Sequence, residues 1–281
     1  MLAAISSNLK ISDLFRGDLQ LTSPPNIYLE LQKTVEDPDK SITDIGFIIE
    51  QDPALAIRLL KIVNSVFFGH PAQITSIERA ITIIGVKKLQ NLVLATVVID
   101  KFSSMPSGLL SMQDFWARSL YSALISKELC IYGNNKDDLD SMFTCGLLHD
   151  IGQLVFYRKI PVIARQIGLL VESSGVDEIQ AENNLLGFNH YQTGAELARL
   201  WNLPEIIIET IGQHNHRDYT GVFADAASTI RTANYLCKMD MENPHPNSFC
   251  NDIPVDDLSN IIDKAHNQFE AIFKLFYSTG N

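Results

Sequence analysis

The sequence lacks the devices that announce several common chemistries. Its 281 residues hold four cysteines, Cys130, Cys145, Cys237 and Cys250, and no two of them form a CxxC pair. Reduced thiols in a cytosolic protein are therefore expected. No apolar run nears the length of a membrane span. GFII at 46–49 and LVLATVVI at 92–99 are among the longest, and both are far too short to cross a bilayer. The start, MLAAISSNLK, has neither a basic leader nor a long apolar core, so no signal peptide is expected and the reading is cytoplasmic, without membrane contact. There is no GxGxxG or GxxxxGK[ST] phosphate loop and no GxSxG elbow, and no cysteine sits in an activating context. Positive charge is scarce as well. Lys and Arg number 22 against 33 Asp and Glu, a formal net charge of −11. Such a balance argues against non-specific binding to nucleic acid or an anionic membrane. AITIIGVKKLQ has the outline of a helix-turn-helix, but Ala80 stands five residues before Gly85 and the following helix is too apolar to read a major groove.

What is present is enough apolar residue to bury a sizeable core, 46% against 20% charged, in one large domain or two modest ones. The period is helical throughout, with no convincing strand alternation. Local signals place the helices. One follows SPP at 23–25 and is broken by DPDKS at 37–41. Ser41 with Asp44 resembles a capping box for SITDIGFIIEQ. Asp52 caps the next helix, with Pro53 at its first position. Ser76 caps IERAITII and Gly85 ends it. VKKLQNLVLATVVIDKF follows as a buried helix, and SSMPSG at 103–108 is the clearest internal punctuation. Further on, MQDFWARSLYSALISKELCIY, LDSMFTCGLLHDIGQLVFYRKI and PVIARQIGLLVESSG each read as one helix. DEIQAENNLLG comes next, Asn189 caps HYQTGAELARLWN, Pro204 opens EIIIETIGQHN, and FADAASTIRTANYLCKM is another amphipathic helix. After the loop ENPHPNSFCNDIP, the apolar spacing of NIIDKAHNQFEAIFKLF favours docking on the core.

Four of the seven histidines fall between 149 and 216. His149 and Asp150 are adjacent on one expected helix, His190 opens another, and His214 ends a third. Imidazole and carboxylate both suit Zn, Mn or Fe, and separate helices of a bundle can bring such groups into one cavity. Each position also has a plain structural use. His149 can fill the core while donating to a carbonyl, and Asp150 can pair with an arginine. His190 can pack against the start of its helix. His214 stands near a helix C-terminus, where the dipole favours an imidazolium. His216 is expected to face solvent. His70 and His245, beside prolines in turns, are given no catalytic role.

The long stretch ITDIGFIIEQDPALAIRLLKIVNSVFFG, then ITSIERAITIIGVKKLQNLVLA, MFTCGLLHDIGQLVF, LLGFNHYQTGAELARLWNLPEIIIETIGQHN and IRTANYLC, resembles the HDOD family, the HD-related output domains of bacterial signalling proteins. The resemblance covers roughly residues 20 to 240. It implies an all-α fold, a multi-helix HD-like bundle with an N-terminal helical subdomain. The implied division is a lead-in at 1–19, an N-terminal helical half at 20–106, an HD-like half at 107–240, and a C-terminal loop and helical extension at 241–281. The wider HD and HD-GYP phosphohydrolases bind metals through a histidine, a His-Asp pair and a closing aspartate. Carried over, His149 and Asp150 match the central pair, and His190 and His214 fall where the extra HD-GYP histidines stand. The outer ligands do not match: Arg118 stands at the first histidine and Asn234 at the closing aspartate. Arginine cannot ligate a cation and would attract Asp150, so an Arg118–Asp150 ion pair is expected in place of a metal. The resemblance thus implies a non-catalytic signalling module with a degenerate site, acting on a regulatory protein partner. A small anion or nucleotide, with Arg118 as its phosphate contact, is a further occupant such a cavity could take. The alternative is a metal-dependent phosphohydrolase with a reduced ligand set. The expected cofactor is none, or at most a single divalent ion on His149, Asp150, His190 and His214.

Overall fold

The computed structural model describes residues 9–103, 111–133, 139–238 and 253–277. SSMPSG lies almost wholly outside them, as do the GNNKDD loop, most of ENPHPNSFCNDIP, and the expected domain boundaries near 106 and 240. The described residues form helices and no strand.

The N-terminal group begins with two short helices, α1 (Ile11–Phe15) and α2 (Leu19–Thr22), followed by α3 (Asn26–Glu36), α4 (Ile42–Glu50), α5 (Pro53–Val63), α6 (Ile77–Ile84) and α7 (Val86–Ser103). Their starts obey local chemistry. Ser41 and Asp44 each accept the other's backbone N–H at the head of α4. Asp52 accepts from the N–H groups of Ala54 and Leu55, with Pro53 at the first helical position of α5. The Ser76 hydroxyl caps α6 through the Arg79 N–H, and Gly85 leaves it at φ +90°. α7 is apolar on nearly every side. It carries nine buried residues and packs on α3, α6 and α9, as a helix without a polar face must.

The second group comprises α8 (Met112–Tyr132), α9 (Leu139–Leu148), α10 (Ile151–Lys159), α11 (Pro161–Ser174), α12 (Glu178–Leu186), α13 (His190–Leu200), α14 (Glu205–Gln213), α15 (Ala224–Lys238) and α16 (Val255–Phe276). α9 is the hub. Met142 to Leu148 are all buried, because α8, α7, α14 and α15 surround it. α16 lies on α8 and α5 and buries Ile272 and Phe276, so the expected core docking of this segment is present. Residues 18–23 fasten the start of the chain to the rest. Asp18 pairs with Arg158 at 3.1 Å and Lys159 at 3.5 Å, and the Trp201 indole N–H donates to the Leu21 carbonyl at 2.9 Å. No single described helix is long and apolar enough to cross a membrane.

One sequence expectation is corrected. LDSMFTCGLLHDIGQLVFYRKI is two helices, not one. The break falls on the His-Asp pair, with Asp150 as N-cap of α10 at φ −104°, ψ 14°, a region often occupied by active-site residues. The cause is tertiary. After the break α10 turns onto α13, and Gly152 meets the His190 carbonyl so closely that no Cβ would fit. On one straight helix His149 and Asp150 would point about 100° apart. The break brings both to one place.

Candidate functional site

His149, Asp150, His190 and His214 arrive from the α9–α10 junction, the first turn of α13 and the end of α14. The structure brings all four together. The His149 Nε2 lies 3.2 Å from Asp150 Oδ2, and the His190 Nε2 lies 3.4 Å from Asp150 Oδ1. The His149 and His214 rings stand 5.5 Å apart, and Tyr191 packs against both His190 and His214 at 4.1 and 4.2 Å. All three histidines are buried.

Each imidazole is held by its other nitrogen. His149 Nδ1 is 2.7 Å from the Gly146 carbonyl, and His214 Nδ1 is 3.0 Å from that of Ile211. A carbonyl can only accept, so in both rings Nδ1 donates and Nε2 is the atom left facing the site. His190 Nδ1 reaches Glu182 Oε1 at 2.7 Å, and Glu182 also accepts the His190 backbone N–H at 2.8 Å. The Nε2 atoms of all three rings and the Oδ1 of Asp150 are buried without a hydrogen-bond partner. Buried polar atoms are rarely left so.

The charges follow from these neighbours. Burial disfavours a charged His190, yet the carboxylates of Glu182 and Asp150 outweigh it and hold its pKa up at about 10. His190 is thus an imidazolium between two carboxylates. Burial likewise opposes ionised Asp150, but His149 and then His190 keep its carboxyl well below the ordinary range. His214 goes the other way. Burial, reinforced by His149, pushes it down to about 3. The helix-end position by itself favours an imidazolium there. In a fully buried ring, desolvation overrides the dipole.

Arg118 and Asn234 line the same small cavity as His149 and Asp150, together with Ser122 and Cys237. Burial pushes the Cys237 thiol up to about 12, which makes it inert. The expected Arg118–Asp150 ion pair does not form among the described residues. Asp150 takes both of its short contacts from His149 and His190. The physical reason is that a charged His190 already supplies the cation the carboxylate needs. His216 is exposed, as expected.

The donor set fits a divalent ion chemically. It consists of three imidazole Nε2 atoms and a carboxylate, with each ring anchored through Nδ1 as metal-bound histidines usually are. The spacing is not drawn in around one point. Among the described residues, the ligand atoms lying within 4.8 Å of one another belong to Glu178, Glu182 and His190. The sequence reading missed both glutamates. Glu182 sits in the expected helix DEIQAENNLLG, one carboxylate among several, and nothing local marks it as the partner of His190.

A bundle of helices closing on a His-Asp pair defines the HD-like class of all-α proteins. Residues 21–217 match the HDOD domain family model, and the chain belongs to the HDOD family. Its solved relatives share the fold. A "Putative phosphohydrolase" of Shewanella amazonensis SB2B superposes with a TM-score of 0.72 at 24% identity, covering 94% of this chain and 98% of that one. A "Putative signal transduction protein" of Marinobacter aquaeolei VT8 gives 0.70 at 18% identity, over 98% of this chain and 68% of that one. An uncharacterized protein of Treponema pallidum (strain Nichols) is 29% identical over 232 residues, 79% of this chain. The chain spans 43% of the length of that relative.

Proposed function

We propose that this chain is a non-catalytic regulatory module of bacterial signal transduction, working in the cytoplasm through contacts with a protein partner. The observation that carries the reading is the space beside the His-Asp pair, a cavity of about 10 Å³. That is room for about one water, whereas sites for organic ligands run to several hundred cubic ångströms. A phosphodiester has no place beside Asp150. Arg118 and Asn234 stand in the cavity wall at the positions where the family resemblance implies ligands, and neither residue type favours a cation, which adds to the argument. Membership of the HDOD family and the name of the Marinobacter neighbour support a signalling role.

A second reading, a metal-dependent phosphohydrolase with a reduced ligand set, draws on the unpartnered Nε2 atoms of His149, His190 and His214. Those three residues and Asp150 would hold a single divalent ion. When bound, such an ion supplies Lewis acidity and can lower the pKa of a coordinated water. His190 would have to give up its proton to ligate, while Glu182 kept the ring oriented. In the first reading the same set ties the α9–α10 junction to α13 and needs no substrate.

The test is metal content of protein purified without chelator, followed by assay on bis(p-nitrophenyl) phosphate and cyclic dinucleotides with and without added Mn²⁺. No turnover in either condition is expected. Stoichiometric metal, with turnover that disappears in Asp150→Ala, would overturn the non-catalytic reading.

A further inference from the structure

Away from the His-Asp pair, a larger cavity of about 250 Å³ opens where the N-terminal helices meet α8 and α9. Its apolar wall includes Phe67 and Phe68 after α5, Ile83 of α6, Leu92 of α7, and Leu139 and Phe143 of α9. Lys127 of α8 reaches in among them. Its Nζ donates to the Phe67 carbonyl at 3.1 Å and lies 3.6 Å from the centroid of the Phe67 ring.

Lys127 is half-buried, and among the described residues no carboxylate comes within ion-pair distance of it. Glu128, its neighbour in sequence, acts on it only from farther away. The other lysine at the cleft, Lys88, is already paired with Asp140 at 3.1 Å. A half-desolvated ammonium normally finds an anion. One carbonyl and one aromatic face compensate it only in part. Thr144, also on the cleft wall, has a buried hydroxyl without a hydrogen-bond partner. The cleft thus combines aromatic walls, one unmatched positive charge and an unused hydroxyl.

We propose that this cleft binds a small organic monocarboxylate bearing a single ring or short acyl chain, its carboxylate on Lys127 and its apolar body between the phenylalanines. Size sets the first limit. The cavity is smaller than the roughly 300–1,000 Å³ of sites that take drug-sized ligands. Charge sets the second. A single ammonium in apolar surroundings can match a monoanion, whereas a phosphate dianion needs several converging donors to replace its hydration. The wall residues come from both helical groups, so an occupant would bridge the N-terminal helices to α9, the helix that ends just before His149.

The experiment uses the full chain and two probes of equal shape, phenylacetate and its neutral isostere phenylacetamide, with hexanoate as a second carboxylate. Binding is read by saturation-transfer NMR and by the shift in thermal unfolding. Phenylacetate is expected to bind and raise the melting temperature, with phenylacetamide weaker by about tenfold or more, the worth of a charge-assisted contact. Lys127→Met keeps the apolar stem, removes the charge and should weaken phenylacetate by a similar factor. Ile83→Trp, at an exposed rim position, should fill the cleft and abolish binding. The isostere comparison needs no variant and decides the matter if either substitution disturbs folding. Absence of binding by both carboxylates, equal binding of phenylacetate and phenylacetamide, or undiminished binding to folded Lys127→Met would overturn the proposal.

Discussion

Replacing Gly152 with alanine tests the packing that places Asp150. A Cβ at this position would run into the His190 carbonyl and lie 2.7 Å from the Gly194 amide nitrogen. Both obstacles are backbone, so no side chain can swing aside. α10 and α13 would have to separate by about an ångström, and a gap of that size forfeits roughly a quarter to a half of the dispersion energy between facing atoms. Alanine gains about 1 kcal/mol in helix propensity over glycine. Overpacking of a tight interface costs about 1–3 kcal/mol and sometimes more. Here the clash is with backbone on both sides, so the upper part of that range applies and a net loss of about 2 kcal/mol is expected. Gly168 is the control. It is exposed on α11, and an added Cβ there meets nothing within 4 Å. Gly168→Ala should therefore stabilise by about 0.4–1 kcal/mol. Urea denaturation followed by circular dichroism, and by the fluorescence of Trp116 and Trp201, measures both. If Gly152→Ala unfolds within about 0.5 kcal/mol of the parent protein, a shift typical of inert surface sites, the close approach is not real. The account of why the helix breaks at Asp150 would then fall with it.

Three further outcomes follow from the same geometry. Because His214 is held down at about 3, its contribution to stability is complete above about pH 6.5 and is lost as pH falls from there towards 3. His190, held up at about 10, contributes fully below about pH 6.5 and loses its effect as pH rises through 10. Urea midpoints from pH 4 to 10 should show both limbs, with His214→Gln flattening the acid one and His190→Gln the alkaline one. An Asp150→Asn, His190→Gln double-mutant cycle should give a coupling of about 0.5–3 kcal/mol, and a value near zero would mean that the 3.4 Å contact carries no energy. Ending the chain before Val255 removes the buried side chains of Leu258, Ile261, Ile272 and Phe276, worth roughly 6–12 kcal/mol. That rivals a typical total stability of about 5–15 kcal/mol, so the shortened protein should lose its cooperative transition in calorimetry.

The helix starts were legible because caps are local. Ser41 with Asp44, Asp52 before Pro53, Ser76, and Asn189 with Gln192 each satisfy backbone groups within three residues, so short stretches of sequence encode them completely. The four candidate residues were legible for a different reason. Their place in a long family-like pattern identified His149, Asp150, His190 and His214, and the fold does gather them. The break at Asp150 was not legible, since its cause is the contact of Gly152 with a carbonyl on α13. Nothing in GLLHDIGQL itself announces that contact, and its apolar period continues smoothly across the pair. Glu182 was missed on similar grounds. The Arg118–Asp150 pair was expected from the family resemblance and from charge, and it fails because the His190–Glu182 contact, invisible in sequence, makes His190 a cation.

That charge arrangement explains how a His-Asp pair can have a use without hydrolysis. Asp150 and Glu182 lie on opposite sides of one imidazolium, so α10, α12 and α13 share a single buried positive charge. Removing Asp150 leaves His190 facing Glu182 alone. Removing His190 leaves two buried carboxylates without their common cation, and breaking a buried pair from one side costs about 3–5 kcal/mol. Neither residue can be lost cheaply, with or without an ion. The presence of the pair therefore says little about catalysis. The discriminating feature is the space beside Asp150. A hydrolase needs room for a phosphoester, and the cavity there is about 10 Å³.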